Sequence, residues 1–150
     1  MIAGVVIGAL VFGAAASGGL YKPGPWYRAL NRPAWTPPDW LFPVVWTPLY
    51  LMIGYAGWLV WQADNLLAIS LWGAQLLANG AWSWLFFGRR QMRLAFVDLG
   101  MLWLLIWSFV AVTAQTQATA ALMFVPYGIW VSIAGMLNLR MIQLNPLARA

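Results

Sequence analysis

The chain has no cysteine and no histidine, and only 7% of its 150 residues are charged. The absence of these side chains excludes thiol chemistry, imidazole acid–base catalysis and the common zinc sites. Acidic residues are also scarce: the chain has only three, and no two of them are close enough in the sequence to form a carboxylate pair. Hydrolysis and acyl transfer need a nucleophile paired with a base. We therefore expect no hydrolytic or metal-dependent active site and no bound cofactor.

Apolar residues dominate the rest of the sequence. They make up 63% of the chain, and the mean hydropathy is +0.75, whereas about 25% of the residues in a soluble domain are charged. The apolar runs are long and unbroken, unlike the short alternating strands of a membrane barrel. The sequence predicts an all-α integral membrane protein with one domain over residues 1–150. Its basic residues are too few to form a nucleic-acid-binding surface. We therefore expect the protein to contact membrane lipid and to have no nucleic-acid partner.

Five apolar stretches are long enough to cross a bilayer. They cover about residues 2–20, 41–61, 66–87, 94–114 and 119–142. Five spans place the first loop, the loop after the third span and the C-terminus on one side of the membrane. Those segments, together with the adjoining end of the fifth span, hold every basic residue of the chain: Lys22, Arg28, Arg32, Arg89, Arg90, Arg93, Arg140 and Arg149. Because cytoplasmic segments are rich in Lys and Arg, we expect a bundle of five transmembrane helices whose first loop and C-terminus are cytoplasmic.

The first loop, residues 21–40, differs in composition from a flexible linker. It is rich in proline and tryptophan: Pro23, Pro25, Trp26, Pro33, Trp35, Pro37, Pro38 and Trp40. Proline lacks a backbone N–H, so this segment cannot cross lipid, and it makes the loop stiff. We predict that the loop covers a ligand site between the helices and that Trp35 contacts the ligand.

Two tryptophans lie well inside the predicted helices. Trp46 shares a helix face with Tyr50, and Trp130 is followed at successive i+4 steps by Ala134 and Asn138. A buried indole N–H needs a partner, and flat aromatic walls suit flat ligands. Aromatic residues at helical spacing also form ordinary core contacts. Both interpretations, ligand wall and core packing, stay open for these stripes.

The third predicted span carries a stripe of uncharged polar residues. Gln75, Asn79 and Ser83 are spaced by four residues and lie on one helix face. They can bind a ligand, but hydrogen bonds between helices, at about 0.6 kcal/mol per contact, alone would explain them and are the favoured interpretation.

Asp98 is the one acidic residue inside a predicted span. An ionisable residue within the membrane is a functional candidate by default. Arg90 and Arg93 are close in the sequence, and we expect Asp98 to form an interfacial ion pair with one of them.

Three ordered segments resemble the motifs of one family. The first-loop signature of the tryptophan-rich sensory protein/translocator protein family, once called peripheral benzodiazepine receptors, is similar to WYRALNRPAWTPPDWLFPVVWTPLY. Its third-span motif resembles QLLANGAWSWLFFG, and its fifth-span motif resembles VPYGIWVSIAGMLNL. The resemblance covers essentially the whole chain. It implies a five-helix bundle, commonly a homodimer, that binds porphyrins and other hydrophobic ligands in a pocket under the first loop.

The resemblance also implies roles for individual residues. By motif position, the family's pocket tryptophans correspond to Trp46 and Trp130, and its loop tyrosine corresponds to Tyr27. The third-span asparagine corresponds to Asn79, and the small residue that lines the fifth span corresponds to Ala134. Some bacterial members are reported to degrade protoporphyrin with light and oxygen. If this chain does so, the two tryptophans are its catalytic residues.

The chain departs from the family at the end of the last span. The cholesterol-recognition pattern needs an aromatic residue before a basic one, whereas here Leu139 precedes Arg140. This departure argues against cholesterol as the native ligand.

We therefore expect a membrane receptor or carrier for porphyrins. A porphyrin is a flat apolar disc with two propionates. The two span tryptophans would contact the ring, Gln75 and Asn79 would supply hydrogen bonds, and Arg28 or Arg32 would pair with the propionates. Light-dependent porphyrin degradation and transport of a lipid or tetrapyrrole are the alternatives.

Overall fold

The computed structural model describes residues 2–146, and this range is helical apart from short turns and loops. Arg149, one of the basic residues used in the topology prediction, lies outside the described residues. The elements in chain order are α1 (Ile2–Leu20), α2 (Pro25–Ala29), α3 (Leu41–Gln62), α4 (Leu66–Ser83), a π-helical turn (Trp84–Gly88), α5 (Met92–Thr113) and α6 (Ala118–Leu144).

The long helices pack side by side in a closed ring. Going round the ring, α1 packs against α4, α4 against α5, α5 against α6, α6 against α3, and α3 against α1. The predicted helices lie within two residues of these bounds, and the third predicted span corresponds to α4 together with the π-helical turn. The fold class is therefore all-α, as the sequence predicted.

The outer surface of the ring is apolar. Phe12, Leu51, Leu77, Leu104 and Leu122 are all more than half exposed. A continuous apolar exterior on this scale suits lipid and not water. In the described part of the chain, four helices are long and apolar enough to cross a membrane: α1, α3, α5 and α6. This chain is therefore a multi-pass membrane protein.

The helix α4 is not among those four helices, although it occupies the position of a predicted span. Gln75 and Asn79 lower its hydropathy, because primary amides are strongly polar. Both side chains are buried in the ring, whereas Leu77 on the other face of the helix is exposed. The polar face of α4 therefore contacts protein and its apolar face points outward.

The two ends of the ring are held differently. At the end away from the first loop, the Asn65 side chain accepts from the Ala68 N–H at 3.1 Å and caps α4. The same side chain donates to Gln117 at 3.0 Å and so joins the α3–α4 turn to the α5–α6 turn. This half is densely packed, and Phe109 and Phe124 stack there with centroids 3.9 Å apart.

The π-helical turn supports the first loop. After Ser83 the helix widens, so that the Arg89 N–H donates to the Trp84 carbonyl at 2.7 Å. The turn brings Phe86 against Tyr27 of α2, with centroids 6.2 Å apart. The first loop is therefore packed on the end of the bundle through aromatic contacts.

Candidate functional site

A cavity of about 590 Å³ lies inside the ring at the end covered by the first loop. We call it the loop-side cavity. All of the long helices contribute to it, together with the first loop and the π-helical turn. Its lining residues are Ala15, Gly18, Gly19, Lys22, Pro23, Asp39, Phe42, Pro43, Trp46, Thr47, Tyr50, Asn79, Trp82, Ser83, Phe87, Leu99, Leu102, Trp130, Val131 and Ala134.

Six aromatic residues contribute to the walls of the cavity. Trp46 stacks on Tyr50, one turn along α3, with centroids 5.3 Å apart and planes inclined by 27°. Trp130 of α6 makes an edge-to-face contact with Phe42 of α3, with centroids 6.0 Å apart. Trp82 of α4 also lines the cavity. Such walls suit a ligand with an extended flat apolar surface.

A chain of hydrogen bonds runs from the cavity into the packed core. The Tyr50 hydroxyl donates to Asn79 Oδ1 at 2.7 Å, and Asn79 Nδ2 donates to the Tyr127 hydroxyl at 2.9 Å. That hydroxyl in turn donates to Gln75 Oε1 at 2.9 Å. The chain links α3, α4 and α6. It leaves Tyr50 and Asn79 facing the cavity and holds their side chains in place.

The structure brings five of the predicted ligand-binding residues together. Trp46, Tyr50, Asn79, Trp130 and Ala134 all line the loop-side cavity. They come from three helices, α3, α4 and α6. The polar residues on one face of α4 differ in position: Asn79 lines the cavity, whereas Gln75, one turn earlier, does not.

Four other predicted ligand-binding residues do not line the cavity. Gln75 is fully buried next to Tyr127, and its Nε2 has no hydrogen-bond partner among the described residues. Asn138 donates to the Met92 carbonyl at 2.9 Å, which joins α6 to the start of α5. Trp35 is 49% exposed in the first loop. Tyr27 is buried on the π-helical turn, beside a void of about 20 Å³.

The two predicted propionate partners also lie outside the cavity lining. Arg28 and Arg32 are exposed in the first loop. The Arg32 guanidinium carbon lies 5.2 Å from the centroid of the Tyr27 ring, in cation–π geometry. Burial raises the pKa of the Tyr27 hydroxyl, and the neighbouring guanidinium acts in the opposite direction. Arg32 thus covers a buried tyrosine.

The predicted ion pair of Asp98 is wrong. Asp98 is only 8% exposed, inside α5, and its Oδ2 is buried without a hydrogen-bond partner among residues 2–146. Arg90 has positive φ, and it lies with Arg93 in an exposed segment at the end of the π-helical turn and the start of α5. The helix directs the carboxyl inward because Asp98 shares a face with the core residues Ala95 and Leu102.

The sequence analysis missed several lining residues. Phe42 precedes Trp46 by four residues and Trp82 follows Asn79 by three, so helical spacing from the predicted residues identifies both. Lys22 and Asp39 have no such signal. They come from the two ends of the first loop, and only the folded loop brings them to the cavity.

Comparison with known proteins gives a consistent result. A model of the TspO/MBR family matches residues 1–144. The chain is 40% identical over 143 residues to tryptophan-rich protein TspO of Chlorobaculum tepidum, covering 91% of this chain and 90% of that protein. It is 36% identical over 138 residues to protein CrtK of Rhodobacter capsulatus, covering 89% and 86%. It is 38% identical over 135 residues to translocator protein of Bos taurus, covering 83% and 78%.

Proposed function

Because this chain belongs to the TspO/MBR family, we propose that it binds porphyrins or similar planar hydrophobic ligands in the loop-side cavity. The observation that carries the proposal is the cavity itself. Its volume of about 590 Å³ is within the range of about 300–1,000 Å³ of small-molecule sites. Aromatic side chains with a few polar groups, among them Tyr50 and Asn79, are the usual composition of a site that positions an apolar ligand.

In this proposal, Trp46 and Trp130 contact the faces or edges of the ligand ring. Aromatic pairs contribute about 0.5–1.5 kcal/mol beyond the area that they bury. Asn79 offers a hydrogen bond to a polar atom of the ring. The Tyr50 and Tyr127 hydroxyls keep the Asn79 amide in place, so its side chain is ordered before the ligand arrives.

The test is a titration of protoporphyrin into the purified protein in lipid nanodiscs, followed by the shift of the porphyrin Soret band. We expect the double variant Trp46→Phe/Trp130→Phe to bind about tenfold more weakly than the wild type. The control is Trp61→Phe/Trp103→Phe, because both of these tryptophans are more than 40% exposed and lie outside the cavity lining. Equal affinities for the two double variants would overturn the assignment of the site.

We also propose that α4 crosses the membrane, which makes five spans, and that the first loop and C-terminus are cytoplasmic. With α4 as a span, two crossings, α3 and α4, separate the first loop from the basic segment after the π-helical turn. Both segments are then on one side of the membrane, as the positive-inside rule requires. The burial of Gln75 and Asn79 supports the fifth span, since the ring shields these amides from lipid.

A further proposal concerns self-association. We propose that two copies pair through α1, the least buried of the membrane-spanning helices. A Cβ atom added at Gly8 or Gly13 would meet nothing within 4 Å, and small residues let helices approach closely in lipid. A single cysteine at Gly8 should cross-link two copies in membranes. A single cysteine at Leu104, exposed on α5, should not, and equal cross-linking at both would contradict this interface.

A further inference from the structure

The charged residues that line the loop-side cavity are few and lie at its mouth. Among the described residues, Lys22 is the one cation in the lining and Asp39 is the one anion. Both side chains are exposed, so both are in contact with water. The rest of the lining is apolar, aromatic or neutral.

The other cations of the first loop are directed elsewhere. Arg28 is exposed and does not line the cavity. Arg32 lies over the Tyr27 ring at 5.2 Å. Neither of these two arginines lines the cavity. Lys22, by contrast, is two residues beyond the end of α1 and lines the cavity together with Gly18, Gly19 and Pro23.

A planar ligand that carries a carboxylate cannot bury that group against apolar walls without a partner. Its ring must sit in the cavity while the carboxylate stays at the mouth. A lysine ammonium on a flexible stem can follow such a group and form a charge-assisted hydrogen bond with it. A carboxylate of the protein at the same mouth repels a second anionic group of the ligand.

Resting on the proposed function, we propose that Lys22 is the carboxylate-binding residue of this site and that Asp39 limits how much negative charge the mouth accepts. The substrate class that follows is a planar apolar molecule with an anionic group on one edge. The site then distinguishes a free acid from its ester, which has the same ring and no charge.

The experiment compares protoporphyrin with its dimethyl ester on each variant in nanodiscs made of a zwitterionic lipid. For Lys22→Gln we expect binding of the free acid to weaken about fivefold while binding of the ester stays unchanged. Lys22→Arg should restore the preference for the acid, because the positive charge is restored. Asp39→Asn should tighten binding of the acid and leave the ester as it is. Raising the salt concentration should reduce the difference in affinity between the free acid and the ester in the wild type.

Arg28→Gln is the matched control, since it removes a cation from the same loop at a position outside the cavity lining. It should alter neither affinity. If Arg28→Gln and Lys22→Gln weaken acid binding equally, the effect belongs to the loop's total charge, and the role of Lys22 is wrong. If the wild type binds neither ligand, the proposed function itself fails. If it binds both and Lys22→Gln changes neither, only this inference fails. If Asp39→Asn leaves the affinity for the free acid unchanged, Asp39 does not limit the negative charge that the mouth accepts.

Discussion

Tyr127 holds together the hydrogen-bond chain beneath the cavity. Its hydroxyl accepts from Asn79 and donates to Gln75, each at 2.9 Å, and it is fully buried. The Gln75 Nε2 atom already lacks a partner among the described residues. Without the tyrosine hydroxyl, the whole amide of Gln75 would be buried and unsatisfied. An unsatisfied buried polar group costs far more than the net gain from one hydrogen bond.

We therefore expect Tyr127→Phe to lower the free energy of unfolding by about 1–3 kcal/mol. The ring contacts are kept, including the edge contact with Trp46 at 6.0 Å. The measurement is unfolding of the purified protein by sodium dodecyl sulfate titration. Tyr55→Phe is the control, since Tyr55 is 51% exposed. Equal stability of the two variants would show that this chain of hydrogen bonds contributes nothing to the free energy of unfolding.

Gly57 is required for the packing of α3 against α4. A Cβ atom there would lie 2.4 Å from Trp72 Cε2. The indole cannot move aside cheaply, because its Nε1 donates to the Ile53 carbonyl at 2.8 Å. We expect Gly57→Ala to destabilise the protein by about 1–3 kcal/mol in the same unfolding assay. Gly73→Ala, where a Cβ meets nothing within 4 Å, should not destabilise the protein, because alanine is the better helix former in the interior of a helix. A stable Gly57→Ala variant would mean that the helices separate easily.

At the scale of elements, the first loop is tied to the end of α6. The Asn31 N–H donates to Asn145 Oδ1, and Asn145 Nδ2 donates to the Asn31 carbonyl, both at 2.9 Å. One side-chain amide thus satisfies both backbone groups of a loop residue, much as a neighbouring strand would. Few other polar contacts hold this part of the loop, because its prolines have no N–H to donate.

Removing that amide should loosen the loop without unfolding the bundle. For Asn145→Ala we expect faster hydrogen exchange at the Asn31 amide and its neighbours, and unchanged exchange in α5. Gln143→Ala is the control, because Gln143 is exposed and its side chain bonds only to Arg140 among the described residues. Unchanged exchange at Asn31 in the alanine variant would show that aromatic packing alone holds the loop.

How far the sequence predicts these elements depends on the range of the interaction. The bounds of the helices follow from local apolar runs, and each one is close to the prediction. Helical spacing correctly groups Gln75 with Asn79, but it carries no information on depth. The position of Tyr127 in α6 decides that Gln75 is buried with it and that Asn79 reaches the cavity.

Contacts between distant segments were the part that the sequence could not predict. All loop cations look equivalent in the sequence, yet Arg32 packs on Tyr27 and Lys22 lines the cavity. Asp98 shows the same limit. Nearness to Arg93 in the sequence suggested an ion pair, whereas the turn of the helix directs the carboxyl into the bundle.

At the scale of the whole molecule, the proposed topology is open to a direct test, since a cysteine-free chain gives every introduced thiol a clean background. We expect Ala34→Cys in the first loop and Gln115→Cys in the α5–α6 turn to react with a membrane-impermeant maleimide from opposite sides. Both positions are exposed. The assay compares intact cells with inverted membrane vesicles. Labelling of both from the same side would contradict a crossing by α4, because the number of crossings between the two positions would then be even.

The loop-side cavity has a floor. Beneath the Tyr50–Asn79 pair, the far half of the ring is filled by fully buried side chains such as Ile53, Ile106 and Phe124. The cavity is therefore closed at this end and does not continue as a channel through the ring. If a ligand binds there as proposed, its passage to the opposite end of the bundle requires these side chains to move, so in this conformation a single copy of the protein offers no open path through the ring.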